Sequence, residues 1–198
     1  RLNSLSNSSR FAVSSRCKML VDEIVELNRE LSDDASEHDV MFFAEKTRDA
    51  ESRIRLALQQ FPDDPDIIQI EARFREEIDQ EDRALRALEK ALRLNPKGSG
   101  AAIRVARIYR SRARAGDALK VLSEALANSP DDKAVHSEIA RHHLAEHTGD
   151  DDLIESHLRR AYSPGDANYE ARFDFAQFLF VRGEAAKAAG LFDEINAK

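Results

Sequence analysis

Four histidines, His136, His142, His143 and His147, fall in one stretch whose periodicity predicts a helix, and His143 and His147 stand four residues apart on one face of it. An imidazole pair at that spacing can hold a zinc ion, with Glu146, Asp150 or His157 near enough in sequence to complete the shell. The same histidines can also carry a response to pH near neutrality. Arginine supplies a second pattern: Arg73, Arg107 and Arg141 are each 34 residues apart. Guanidinium groups in register favour carboxylates or phosphates, which they bind through paired hydrogen bonds. Around the middle one, Arg104, Arg107, Arg110 and Arg114 span an arc of about 120° at helical spacing, opposite Val105, Ile108 and Tyr109. Signatures of catalysis are missing. Lys97-Gly98-Ser99-Gly100 lacks the Gly-Lys-Ser/Thr ending of a phosphate-binding loop and follows a helical pattern rather than a strand. There is no serine nucleophile elbow, no paired CxxC and no HExxH. The expectation is therefore a protein that is not an enzyme, with no catalytic residue and no cofactor.

The elements that would position these residues are marked by proline. Pro62, Pro96, Pro130 and Pro164 recur every 34 residues, and each closes an apolar-periodic segment. Proline lacks an amide hydrogen and clashes with the preceding turn, so it ends one helix and opens the next connection. A period of 34 residues holds two short helices and two turns. Within it, Ala84, Leu85, Ala87, Leu88, Ala91 and Leu92 form one stripe, and Ala118, Leu119, Val121, Leu122, Ala125 and Leu126 repeat it. Asp64 before Pro65, Asp131 or Asp132, and Asp166 are candidate helix caps. Small residues in such stripes let two helices approach closely, as stacked units require.

The spacing resembles the tetratricopeptide repeat family, whose consensus places small residues at positions 8, 20 and 27, a large apolar residue at 24 and proline at 32. Counted from Pro65, the first clear repeat has Ala72, Ala84, Leu88, Ala91 and Pro96; the next, from Ser99, has Ala106, Tyr109, Ala118, Leu122, Ala125 and Pro130. The third, from Lys133, keeps Ala140 but gains about two residues near Thr148-Gly149-Asp150, which shifts Ile154, Leu158 and Ala161 into the second-helix slots. The fourth, from Tyr169, has Ala176, Gly183, Ala188 and Phe192, and Ala50, Ile54, Ala57 and Pro62 resemble the second helix of a partial repeat. The usual tryptophan at position 4 is absent, and His136 and His143 occupy positions 4 and 11, where the family places packing aromatics. That favours buried imidazoles over a metal site.

The resemblance implies an all-α, right-handed superhelical solenoid of antiparallel helix pairs, about ten helices in all. Residues 1–10, rich in Ser and Asn, are expected as a disordered tail or linker. Residues 11–62 are expected as a long N-terminal hairpin that covers the first repeat, with Ser36 capping its second helix, and 63–198 as four repeats at about 65–98, 99–132, 133–166 and 167–198. Position 9 of each repeat faces the concave groove in this family. The implied groove therefore includes Arg73, Ile103, Arg107, Arg110, Arg141, Leu144, Phe173, Gln177 and Phe180. Its expected occupant is a protein or peptide, acidic in character with an apolar anchor at the Phe-rich end. The alternative is that these arginines pair with Glu71, Glu76, Glu77 or Glu138 on neighbouring helices. The chaperone-tail clamp is not implied, because Gln69, Arg73 and Arg104 stand at its Lys and Asn positions.

The net charge of −7 argues against non-specific binding to nucleic acid or anionic lipid. An RNA-associated repeat using the Arg104–Arg114 stripe is the alternative function. Cys17, the single cysteine, sits among Phe11, Val13, Met19 and Leu20 and reads as a buried, inert thiol. No apolar run reaches the length of a membrane span, and the expected location is cytoplasmic. The chain starts at Arg1 rather than Met and carries five phenylalanines in its last hairpin without a polar capping helix after them. It is thus expected to be a segment of a larger multidomain protein, or to use its Phe-rich end in self-association.

Overall fold

Several helix boundaries have a local chemical cause. The computed structural model describes residues 2–31, 35–162 and 169–196, with side chains placed for 8–31, 35–162 and 169–195. Among the described residues there are ten helices and no strand: α1 (Leu2–Glu30), α2 (Glu37–Gln60), α3 (Pro65–Glu77), α4 (Glu81–Leu94), α5 (Ser99–Ser111), α6 (Ala115–Asn128), α7 (Lys133–Glu146), α8 (Asp151–Ala161), α9 (Tyr169–Val181) and α10 (Ala185–Asn196). Ser36 opens α2 with a complete capping box, its hydroxyl accepting from the Asp39 amide while the Asp39 carboxylate takes the Ser36 amide. Asp64 accepts from the amides of Asp66 (2.9 Å) and Ile67 (3.2 Å), and Pro65 fills the first helical position, where no amide hydrogen is needed. Asp132, not Asp131, caps α7 through the Val135 amide, and Asp150 caps α8. Asp166 and Pro164 lie outside the described residues.

The turn inside each repeat obeys one rule. Asp79, Ala113, His147 and Gly183 all adopt left-handed backbone, with φ of 56°, 57°, 51° and 80°. Each is the fifteenth residue of its repeat, just past the first helix, where a left-handed residue closes the last turn. Only one of the four is a glycine. The others accept a cost of about 1–2 kcal/mol for an L side chain in that region, least for Asp.

The chain divides into two units, residues 1–96 and 97–198. In the first, Cys17, Val21, Ile24 and Val25 of α1 share a core with Ala50, Ile54 and Ala57 of α2 and with Ile67 and Phe74 of α3. The apolar face of the N-terminal hairpin is thus completed by α3. Helix α1 begins at Leu2. Arg10 ties that end to the start of α3, its Nε lying 2.8 Å from the buried Asp64 carboxylate. In the second unit Ala140, Ile154, Leu158, Phe175, Phe178, Leu179 and Ala188 form one core. Ile154, Leu158 and Ala161 are buried on α8 despite the two-residue insertion before it.

Candidate binding face

Helix α7 is buried along most of its length, and at its centre stands a carboxylate. Glu138 is 1% exposed. Arg107 of α5 donates to its Oε2 from Nε (3.2 Å) and Nη2 (2.8 Å), and Nη2 of Arg110 lies 3.1 Å from Oε1. Arg141, one turn along α7, completes the surround at 4.0 Å and carries the chain of charges onward. It donates from Nε to Asp174 (2.6 Å) and from Nη2 to Glu170 (3.1 Å), both on α9. Burial alone pushes the Glu138 carboxyl up, but the Arg107 hydrogen bond and the charges of Arg107, Arg110 and Arg141 outweigh it and hold it below the usual range. Burial depresses the Arg141 guanidinium, but bonding to Asp174 and Glu170 outweighs that and raises it.

These contacts follow the repeat register. Arg107 at position 9 meets Glu138 at position 6 of the next first helix, 31 residues on; Arg141 meets Asp174 33 residues on, the difference being the two inserted residues. The row is therefore a set of staples between successive first helices within the second unit. Position 104, sixth in its repeat like Glu138 and Asp174, holds an arginine instead of an acid. Arg73 instead donates to Asp22 on α1. Of the pairings weighed for the arginines, the one with Glu138 is present.

The helices that carry the staples also expose large apolar side chains. Leu144 (38% exposed), Phe173 (51%) and Phe180 (63%) are uncovered, and Gln177 is exposed between the two phenylalanines on α9. Phe175 and Phe178 turn the other way into the core, while Phe173 meets Phe192 edge-on at 6.0 Å. Ile103 is half-buried on α5, next to the Arg107–Arg110 turn. The structure thus places Ile103, Arg107, Arg110, Arg141, Leu144, Phe173, Gln177 and Phe180 on α5, α7 and α9 of the second unit, and Arg73 on α3 of the first.

The histidines separate. His136 and His143 are 2% and 8% exposed and pack where ring side chains are expected. His143 Nδ1 lies 3.1 Å from Thr148 Oγ1, and the inserted Gly149 passes so close that a Cβ there would stand 3.1 Å from the same ring nitrogen. His147 is the exposed, left-handed turn residue. No group of three His, Cys, Asp or Glu side chains converges among the described residues, so His143 and His147 are not joined by a third ligand. His157 reaches His136 from α8, a contact that the sequence could not announce.

Residues 79–142 match the family model described as tetratricopeptide repeat. No curated protein sequence matches the chain. Among solved structures, pilF of Pseudomonas aeruginosa aligns over 96% of this chain and 78% of its own, at 14% identity and a TM-score of 0.68. PilW, a type IV pilus biogenesis factor, aligns over 93% and 77% at 16% identity and a TM-score of 0.64. YrrB, a TPR protein with an unusual peptide-binding site, aligns over 73% of both chains at 19% identity and a TM-score of 0.56. The helix pairs are thus those of an all-α helical-repeat fold. Residues 79–142 carry the tetratricopeptide repeat signature, and the helical-repeat fold is shared with these solved structures.

Proposed function

We propose that this chain is a protein-interaction scaffold that holds a segment of a partner protein against the first helices of its second unit. The observation that carries the reading is that Leu144, Phe173 and Phe180 are exposed on the helices that also carry the half-exposed Arg107 and the partly exposed Arg110 and Arg141. Apolar anchors supply affinity in such a groove, and charges at its margin set orientation and partner choice. Arg107 keeps 52% of its side chain exposed while Glu138 fixes one edge of its fork, and Glu170, the outer partner of Arg141, is 79% exposed. A carboxylate from the partner can therefore add to Arg107 or replace Glu170. Ile103, Arg110 and Gln177 complete the proposed groove by repeat position. The occupant is an acidic peptide with a large apolar residue.

The nucleic-acid alternative loses support, because Arg107 and Arg110 are committed to Glu138 and Arg114 to Asp117 at 2.7 Å. An array of peptides varied in charge and apolar content tests the proposal. Peptides combining Asp or Glu with Leu or Phe should bind the wild type, and Phe173→Ser with Phe180→Ser should lose them while melting unchanged. Binding that survives the double change refutes the assignment. These two phenylalanines are the better probes, since reversing Arg107 or Arg141 would break staples as well as contacts.

A further inference from the structure

Away from that face, the second unit has a cleft of about 560 Å³ between α6 and α8, floored by α7. Its apolar walls include Leu119, Leu126, Ala127, Ile139 and Leu153, and none of the described residues lining it carries a carboxylate, ammonium or guanidinium. The volume falls within the range of small-ligand sites. Its polar lining side chains are Ser123, His143 and His157, and the tautomer of His157 is fixed by its hydrogen bonds.

The hydrogen bonds decide what that imidazole offers. His136 Nε2 lies 2.9 Å from the Pro130 carbonyl oxygen, which can only accept, so Nε2 carries the proton. Neutral His136 then has a bare Nδ1, and His157 Nδ1 stands 2.8 Å from it and must donate. His157 is left with its proton on Nδ1 and a lone pair on Nε2. Burial chiefly, then the charges of His136, His143 and Arg160, bring the His157 imidazolium down to about 4, so the ring is neutral near pH 7. The cleft therefore combines an apolar body, walls without a carboxylate, ammonium or guanidinium, and an oriented acceptor on His157.

We propose that this cleft binds an uncharged aromatic small molecule carrying one hydrogen-bond donor, a phenol or an indole, with the donor on His157 Nε2. Anions find no cation at its walls, and a cation would sit against a lined apolar surface without a counter-charge. A ligand lacking the donor leaves the acceptor unsatisfied.

Phenol and anisole, alike in shape but differing in the donor, test this by NMR titration of the full chain, with benzoate as the charged comparison. Phenol should saturate in the millimolar range and shift His157 and Leu153. It should bind about fivefold more tightly than anisole, the worth of one ordinary hydrogen bond, and benzoate should not bind. Ala127→Trp, at an exposed position of α6 on the cleft wall, should abolish phenol binding while the melting profile stays that of the wild type. Equal affinities for phenol and anisole, phenol binding that persists in Ala127→Trp, or no saturable phenol binding would each overturn the proposal. Failure here leaves the peptide face untouched, since no residue is shared.

Discussion

Replacing Glu138 by Gln keeps the size of the side chain and removes its charge at the point where three arginines meet. The loss can be reasoned from exposure. Glu138 is 1% exposed, whereas the side chains of Arg107 and Arg110 are 52% and 27% exposed and Arg141 retains Asp174. Leaving a fully buried charge unpaired costs about 3–5 kcal/mol. Here the stranded charges are guanidinium groups that water can reach, and the amide oxygen still accepts one bond. The expected loss is therefore about 1–3 kcal/mol, the range for a charge-assisted hydrogen bond. At about 2–4 °C per kcal/mol for a chain of this length, the thermal midpoint at pH 7 should fall by several degrees. The sign with pH follows from the depressed carboxyl. Its stabilisation is present above the unfolded value of about 4.3 and is lost as pH falls through the lower folded value. The gap between wild type and Glu138→Gln should close in acid, because protonated Glu and Gln carry the same charge. Circular-dichroism melts of both proteins from pH 7 down to pH 3 measure it. Equal midpoints at pH 7, or a gap that stays constant with pH, would refute the staple as a source of stability.

Four further outcomes are expected. Ala113→Gly should stabilise by up to about 1 kcal/mol in urea unfolding, because φ of 57° is unfavourable for an L side chain; a loss of stability would contradict the turn assignment. Gly149→Ala should destabilise by about 1–3 kcal/mol, since φ is 80° and the new Cβ would press on the His143 ring at 3.1 Å. Cys17 should react slowly with a thiol reagent at pH 8 until urea is added, its thiol being buried and pushed up by that burial. The His157 imidazole should stay neutral by NMR until about pH 4. Because its folded value lies below the unfolded one of about 6.5, it contributes stability above that pH which is lost as pH falls towards 4; a titration midpoint near 6.5 would contradict the His136–His157 geometry.

The fold was legible because its signals are local. Proline every 34 residues, Ser36 and Asp64 as caps, and the alanine stripes each act within a few residues, and Ala50, Ala72, Ala84, Ala118 and Ala140 are all buried. The extent of α1 was less so. Its first turns are composed of residues that favour caps and turns, and what holds the helix there includes Arg10 reaching Asp64, more than fifty residues away. At the binding face the arginine row was visible, but its partners only partly. An acid at position 6 of the following repeat was the available signal, present as Glu138 and Asp174 and replaced by Arg104 in the repeat after Arg73. The pairing of Arg73 with Asp22 and of His136 with His157 depends on how helices pack. No spacing in the chain encodes either.

The central claim is that α5, α7 and α9 of the second unit form the partner-holding face. Amide NMR shift mapping with a bound peptide that combines acidic residues and one phenylalanine tests it most directly. The account predicts shifts clustered at Ile103, Arg107, Arg110, Arg141, Leu144, Phe173, Gln177 and Phe180, weakening as salt is raised. Shifts confined to α6, α8 and α10, or none at saturating peptide, would contradict it.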